Sequence, residues 1–108
     1  MSNFKKLTDA MQFASDKMKK NGVFETDRFF CDTYCFEPGQ EQRPHTHEKE
    51  DKVYYVLEGK GSFTVGGETK ELGAGEIALA AAGQSHGVAN KSGGRLVTLV
   101  FVTPKPHH

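Results

Sequence analysis

The arrangement of apolar and polar residues changes period once along the chain. Leu7, Met11, Ala14 and Met18 recur at three- and four-residue intervals, the spacing that lays one apolar stripe on a helix. Lys17, Lys19 and Lys20 follow, where cations suit the negative end of a helix dipole. Asn21-Gly22 then offers a stop, because glycine accepts the left-handed backbone just past a helix end. Residues 1–22 are therefore expected to form a short N-terminal α-helix packed on the rest. After Gly22 the pattern becomes that of strands. Residues 28–36 are rich in aromatics and end at Glu37-Pro38-Gly39, a turn signal. Residues 52–58 (KVYYVLE) read as a strong strand, and residues 61–65 and 68–72 flank Gly66-Gly67 as a hairpin. Residues 76–80, 86–89 and 95–102 follow between further turns. One helix and then about eight short, closely spaced strands predict an all-β sandwich or barrel over residues 23–108.

The last strand, LVTLVFV, is apolar on both faces. Such a strand must be covered twice, by the second sheet on one side and by a helix or another subunit on the other. A homodimer is the expectation, with cover by the N-terminal helix as the alternative. The 108 residues suit one domain, and 14 Lys and Arg offset 14 Asp and Glu. That balance argues against nucleic acid as a partner, since neutralising phosphates takes an excess of basic residues on one face. The longest apolar runs, residues 77–82 and 96–102, fall far short of the ~20 that cross a bilayer. The opening MSNFKKLTDAMQF has no apolar core of a signal peptide, so a cytoplasmic location is expected. Cys31 and Cys35 lie four apart on an expected strand, roughly 13 Å, too far for a bridge. They read as small half-buried thiols.

Three of the five histidines carry the chemistry. His107 and His108 end the chain after two prolines and read as lying outside the fold or as the remnant of a tag. His45 and His47 are two apart, so on extended backbone both leave the same face, and two imidazoles placed so can converge on one divalent ion. Pro44 stiffens the entry to this pair. His86 follows the turn Gly83-Gln84-Ser85 and is expected to face the pair across the interior of a small sandwich.

These residues resemble the cupins, small β-barrels of jelly-roll type. Their first motif runs Gly, five residues, His-x-His, three or four residues, Glu, six residues, Gly; here it reads Gly39, His45, His47, Lys52 and Gly59. Their second runs Gly, five residues, Pro-x-Gly, two residues, His, three residues, Asn; here it reads Gly75, Ala81, Gly83, His86 and Asn90. Every spacing holds, with Lys52 in place of Glu and Ala81 in place of Pro. The resemblance spans residues 39–90, about half of the chain. It implies a double-stranded β-helix, with His45, His47 and His86 as three ligands of one divalent transition metal. Fe, Mn, Ni, Zn and Cu all suit such a set.

The usual fourth ligand is the missing carboxylate. Protonated Lys52 has three donors and no acceptor, so it cannot ligate a cation. Asp51 has the right chemistry but faces away if Lys52 faces in, unless a β-bulge after His47 re-aims it. Three arrangements stay open: three histidines alone, three histidines plus Asp51, or a metal-free pocket whose Lys52 meets an anion. With Lys52 inward, Tyr54 and Val56 share its face, and Phe63 adds wall to a pocket for a small molecule. A buried Tyr54 phenol calls for a polar partner, and Gln42 and Arg43 stand at the approach to His45. The expected function is a metal-dependent enzyme, a dioxygenase or an isomerase or lyase, on a small organic, anionic substrate. The alternative is a non-catalytic small-molecule binder or a metal-free, vestigial barrel, since Lys52 replaces the usual ligand.

Overall fold

The computed structural model describes residues 2–106, so the terminal pair His107 and His108 lies outside the described residues. Nine strands run in chain order: β1 (Lys19–Glu25), β2 (Phe30–Phe36), β3 (Glu41–Thr46), β4 (Asp51–Glu58), β5 (Lys60–Val65), β6 (Glu68–Gly73), β7 (Ile77–Ala80), β8 (Ser85–Ala89) and β9 (Leu96–Thr103). They pair antiparallel in two sheets, one ordered β1-β2-β9-β4-β7 and the other β3-β8-β5-β6. The architecture is all-β, as the spacing of turns predicts, and is the double-stranded β-helix that the resemblance implies. Among the described residues no helix is long and apolar enough to cross a membrane.

The inner faces follow the two-residue period. Tyr34, Phe36, Tyr54, Val56, Leu96, Val100 and Val102 from the first sheet meet Phe63, Leu72 and Val88 from the second in one buried core. Cys31 and Cys35 are free thiols, unbridged as their spacing predicts, and fully buried instead of half-buried.

The N-terminal helix is the main correction. Among the described residues the only helical piece there is one 3₁₀ turn, Leu7–Ala10, and Lys19, Lys20, Asn21 and Gly22 belong to β1, paired with Cys35, Tyr34, Thr33 and Asp32. The carbonyls that a helix would turn inward are taken by side chains of the barrel. Thr33 Oγ1 donates to Ala10 O, Asn21 Nδ2 to Gln12 O at 3.0 Å and Gln40 Nε2 to Ala14 O at 2.7 Å. Phe13 packs under the Arg95 guanidinium, 4.2 Å from it. No side chain caps the turn. An apolar stripe without caps is too weak to hold a helix against these partners. The extended segment still covers one end of the first sheet, the role expected of the helix.

Cover is missing at the other end of that sheet. The outer face of β7, β4 and β9 carries Ile77 beside Tyr55 beside Leu99, and Leu79 beside Val53 beside Phe101. Ile77 is 62% exposed and Leu79 57%.

Gly59 turns β4 into β5 with φ +81°, and a Cβ there would sit 2.0 Å from the carbonyl oxygen of Arg95. Neither the backbone angle nor the space admits a side chain. Gly59→Ala is expected to cost at least ~2 kcal/mol, read as a lower urea midpoint at unchanged slope.

Candidate metal centre

The site begins with a local irregularity. Between β3 and β8, Gln42 pairs with Val88 and His45 with His86, so Arg43 and Pro44 face the single residue Gly87. This is a β-bulge, and Pro44 suits it because proline has no N–H to give to the ladder. Gly87 admits the bulge. A Cβ at that position would lie 2.9 Å from Gln42 O and 2.9 Å from Pro44 N, both backbone atoms. The bulge re-phases β3 so that His45 stands directly beside His86. His47, two residues on, is held by the Gly83 N–H donating to its carbonyl at 2.9 Å.

The three rings come together. Their centroids are 4.9 Å apart for His45–His47, 4.3 Å for His45–His86 and 5.6 Å for His47–His86. One nitrogen of each lies within 4.8 Å of the other two. His86 therefore joins from the neighbouring strand of the same sheet, and not from across the interior as its place in the sequence suggests.

Each imidazole is oriented through Nδ1. His45 Nδ1 lies 3.0 Å from Arg43 O and His86 Nδ1 3.0 Å from Gln84 O. A carbonyl only accepts, so both Nδ1 atoms carry the proton and both Nε2 atoms carry a lone pair. His47 Nδ1 faces Glu50 Oε1 at 3.3 Å. A carboxylate behind a histidine is the arrangement that aims a metal-binding imidazole. Reading the sequence for ligands overlooks Glu50, whose one visible signal is an acid three residues after His47. His86 Nε2 is buried with no hydrogen-bond partner among the described residues. An orphaned buried lone pair pointing at two more is costly unless a cation takes it. The donor set thus fits a divalent transition ion.

Burial favours the neutral rings that ligation needs. It pushes the His86 pKa down to about 4 and lowers that of His45, in each case against a backbone hydrogen bond that raises it.

Asp51 does other work. It is exposed, and its Oδ1 accepts the Ala82 N–H at 2.9 Å, tying β4 to the turn before β8. The pairing of β4 with β9 runs unbroken through Asp51, Lys52 and Val53, so no bulge re-aims the carboxylate. Asp51 does not join the imidazole group.

Lys52 faces inward and is 2% exposed. Its Nζ lies 4.8 Å from the centre of the Tyr34 ring and 5.1 Å from that of Tyr54. Burial, with the nearby charge of Lys20, pulls its pKa down to about 7 against the opposing pull of Asp32. Tyr54 donates to Gln42 Oε1 at 3.1 Å, the polar partner its burial calls for, and burial holds its phenol well above the ordinary range. Its ring lies 6.3 Å from that of His86. Phe63 is core, packed 5.5 Å behind Tyr54. Gln42 also lines a cleft of about 670 Å³ with Met18 and Lys20. Arg43 is exposed beside Glu41 and serves the site through its carbonyl. Asn90 is structural: its Nδ2 donates to Phe36 O and Gly94 O at 3.2 and 2.8 Å.

Fold and site together define a small jelly-roll barrel with three convergent imidazoles near one end of its interior. Residues 32–102 match the model of the cupin domain, and the chain belongs to that family. It is similar to the crystal structure of TT1209 from Thermus thermophilus, with 41% identity, a TM-score of 0.94 and coverage of 97% of this chain and 100% of that one. A protein with a double-stranded β-helix domain from Klebsiella pneumoniae superposes with a TM-score of 0.89 at 26% identity, over 96% of this chain and 91% of that one. An oxalate-binding protein of Thermotoga maritima is 36% identical over 53 residues, 49% of this chain and 44% of that one.

The imidazole shifts set a pH window. A base whose folded pKa lies below its unfolded value of ~6.5 takes up its proton more readily when unfolded. His86 and His45 therefore contribute full stability above pH ~6.5, and lose it progressively as pH falls toward the folded value of about 4 for His86. Urea midpoints of metal-free protein are expected to fall between pH 7 and pH 4, and His86→Gln to flatten that slope.

Proposed function

We propose that this protein is a metal-dependent cupin enzyme, a dioxygenase or an isomerase or lyase, acting on a small organic molecule at the barrel mouth. The observation that carries the reading is the set of three imidazoles sharing one centre, with the buried Nε2 of His86 unpaired. His45, His47 and His86 would hold the ion, drawn from Fe, Mn, Ni, Zn and Cu. A bound ion of this kind supplies a Lewis acid or a redox centre. The chain does the rest. Arg43 O, Gln84 O and Glu50 aim the rings, the phenol of Tyr54 and the amide of Gln42 offer hydrogen bonds to a ligand, and Tyr34 and Tyr54 shield Lys52 from water.

Binding without turnover is the second reading, and the likeness to an oxalate-binding protein favours it. Substrate depletion or oxygen uptake by metal-loaded protein, over a panel of small carboxylic and enediol compounds, separates the two. Elemental analysis of protein purified without chelating resin is expected to find about one first-row metal per chain. His86→Ala is expected to lose it, at least tenfold, while keeping the far-ultraviolet spectrum of a folded barrel.

The apolar block on β7, β4 and β9 supports a homodimer through that face. Hydrophobic side chains such as Ile77 and Leu79 lie in adjacent rows with no cover from the described residues. Exposed apolar blocks of this sort mark interaction surfaces. Light scattering is expected to give twice the chain mass of 11.9 kDa, and Leu79→Glu to halve it. A monomer in the native protein refutes this assembly.

A further inference from the structure

We propose that Lys52 is the anchor for a carboxylate of the ligand, and that the ligand's anion supplies the negative charge that the family's usual glutamate would place beside the imidazoles. The second half rests on the metal-binding reading above; the first does not.

The argument starts from charge. Lys52 is buried on the inner face of β4, and no acid stands within ion-pair distance of it among the described residues. Asp32, on the same inward parity of β2 as Tyr34, acts on Lys52 only beyond ion-pair distance and is shared with Lys20, and the acids of the four ion pairs are engaged elsewhere: Glu41 with Arg43, Glu50 with His47, Glu37 with Arg95 and Glu25 with Lys105. Two aromatic faces lie near its Nζ, but they offer no oxygen acceptor to an ammonium with three donors. A second cation crowds the same place, because Lys20 Nζ is 5.1 Å from the Tyr34 ring that also faces Lys52. Burying an unpaired ammonium costs several kcal/mol, and a methionine would fill the volume without that cost. The use of the charge therefore lies in what it binds.

A glutamate at position 52 would offset one positive charge of a bound dication; the ammonium adds one. The site is two charges more positive than its four-ligand counterpart, in a place where water screens poorly. An anion is the missing component. A carboxylate is small and planar, and its oxygens match the donors that Nζ carries above the Tyr34 and Tyr54 rings. Gln42, on the hydroxyl of Tyr54, and Lys20 both line an open cleft together with Glu41. Binding of metal and anion is then mutually reinforcing, by the same factor in each direction.

The test uses the full chain with acetate and formate, which chelate metals weakly. In metal-free protein, NMR titration is expected to show saturable shifts at residues 34, 52 and 54. Lys52→Met is expected to weaken them at least tenfold while raising the urea midpoint, so a loss of binding is not a loss of folding. In the second arm, zinc affinity of the native protein is expected to rise about tenfold with saturating acetate. Lys52→Met and Lys52→Glu should bind zinc more tightly than native protein in acetate-free buffer and lose the acetate dependence. Equal acetate binding by native protein and Lys52→Met overturns the proposal, as does inorganic phosphate displacing acetate at lower concentration. Zinc binding by none of the proteins, with the acetate arm intact, upholds Lys52 as the anchor and overturns the metal reading instead.

Discussion

On β8, Gly87 lies against the backbone of Gln42 and Pro44 with no room for a single added carbon. That close approach lets β3 carry an extra residue opposite β8 and still stay in the sheet. Without the bulge, the inward and outward positions of β3 beyond Gln42 would exchange, and His45 would leave the face it shares with His86. The backbone carbonyls that orient the rings are set by the same geometry. Arg43 O belongs to the bulge, and Gln84 O to the turn that leads into β8. The convergence of the imidazoles is thus a backbone property first and a side-chain property second.

The interior beyond them is polar in an unbalanced way. Tyr54 satisfies its hydroxyl through Gln42, and Asn90 satisfies its amide through two carbonyls. These groups stabilise the barrel. Among the described residues His86 Nε2 has no such partner and Lys52 forms no ion pair, and both lie beside the Tyr54 ring. Buried polar groups left open together mark where the fold gives up stability for binding. Their complementary needs, a cation for one and an anion for the other, are what a metal with a bound carboxylate would meet.

The outer surface of the first sheet divides by the same logic of cover. The N-terminal segment gives its backbone carbonyls to Thr33, Asn21 and Gln40 and so lies flat over β1 and β2. It stops short of β4 and β7. The outer face of the first sheet is therefore covered by the chain's own N-terminus at the β1–β2 end and left as an open apolar block at the β4–β7 end.

Much was legible in the chain before any coordinates. The glycine-punctuated strands from residue 28 onward, the face shared by Lys52, Tyr54 and Val56, and the face shared by His45 and His47 follow from local period, because alternation along a strand is a local property, whereas the grouping of His86 with them came from the resemblance to the cupin motifs. The structure alone decided the rest. Residues 7–22 have a helix-like stripe, yet distant side chains compete successfully with the helix for its carbonyls. Asp51 carries ligand chemistry, yet an unbroken ladder with β9 turns it outward. Glu50 reaches His47, and His86 stands beside His45 instead of opposite it, because of which strands pair and where one bulges. Pairing and register join residues tens of positions apart, and no local pattern encodes them.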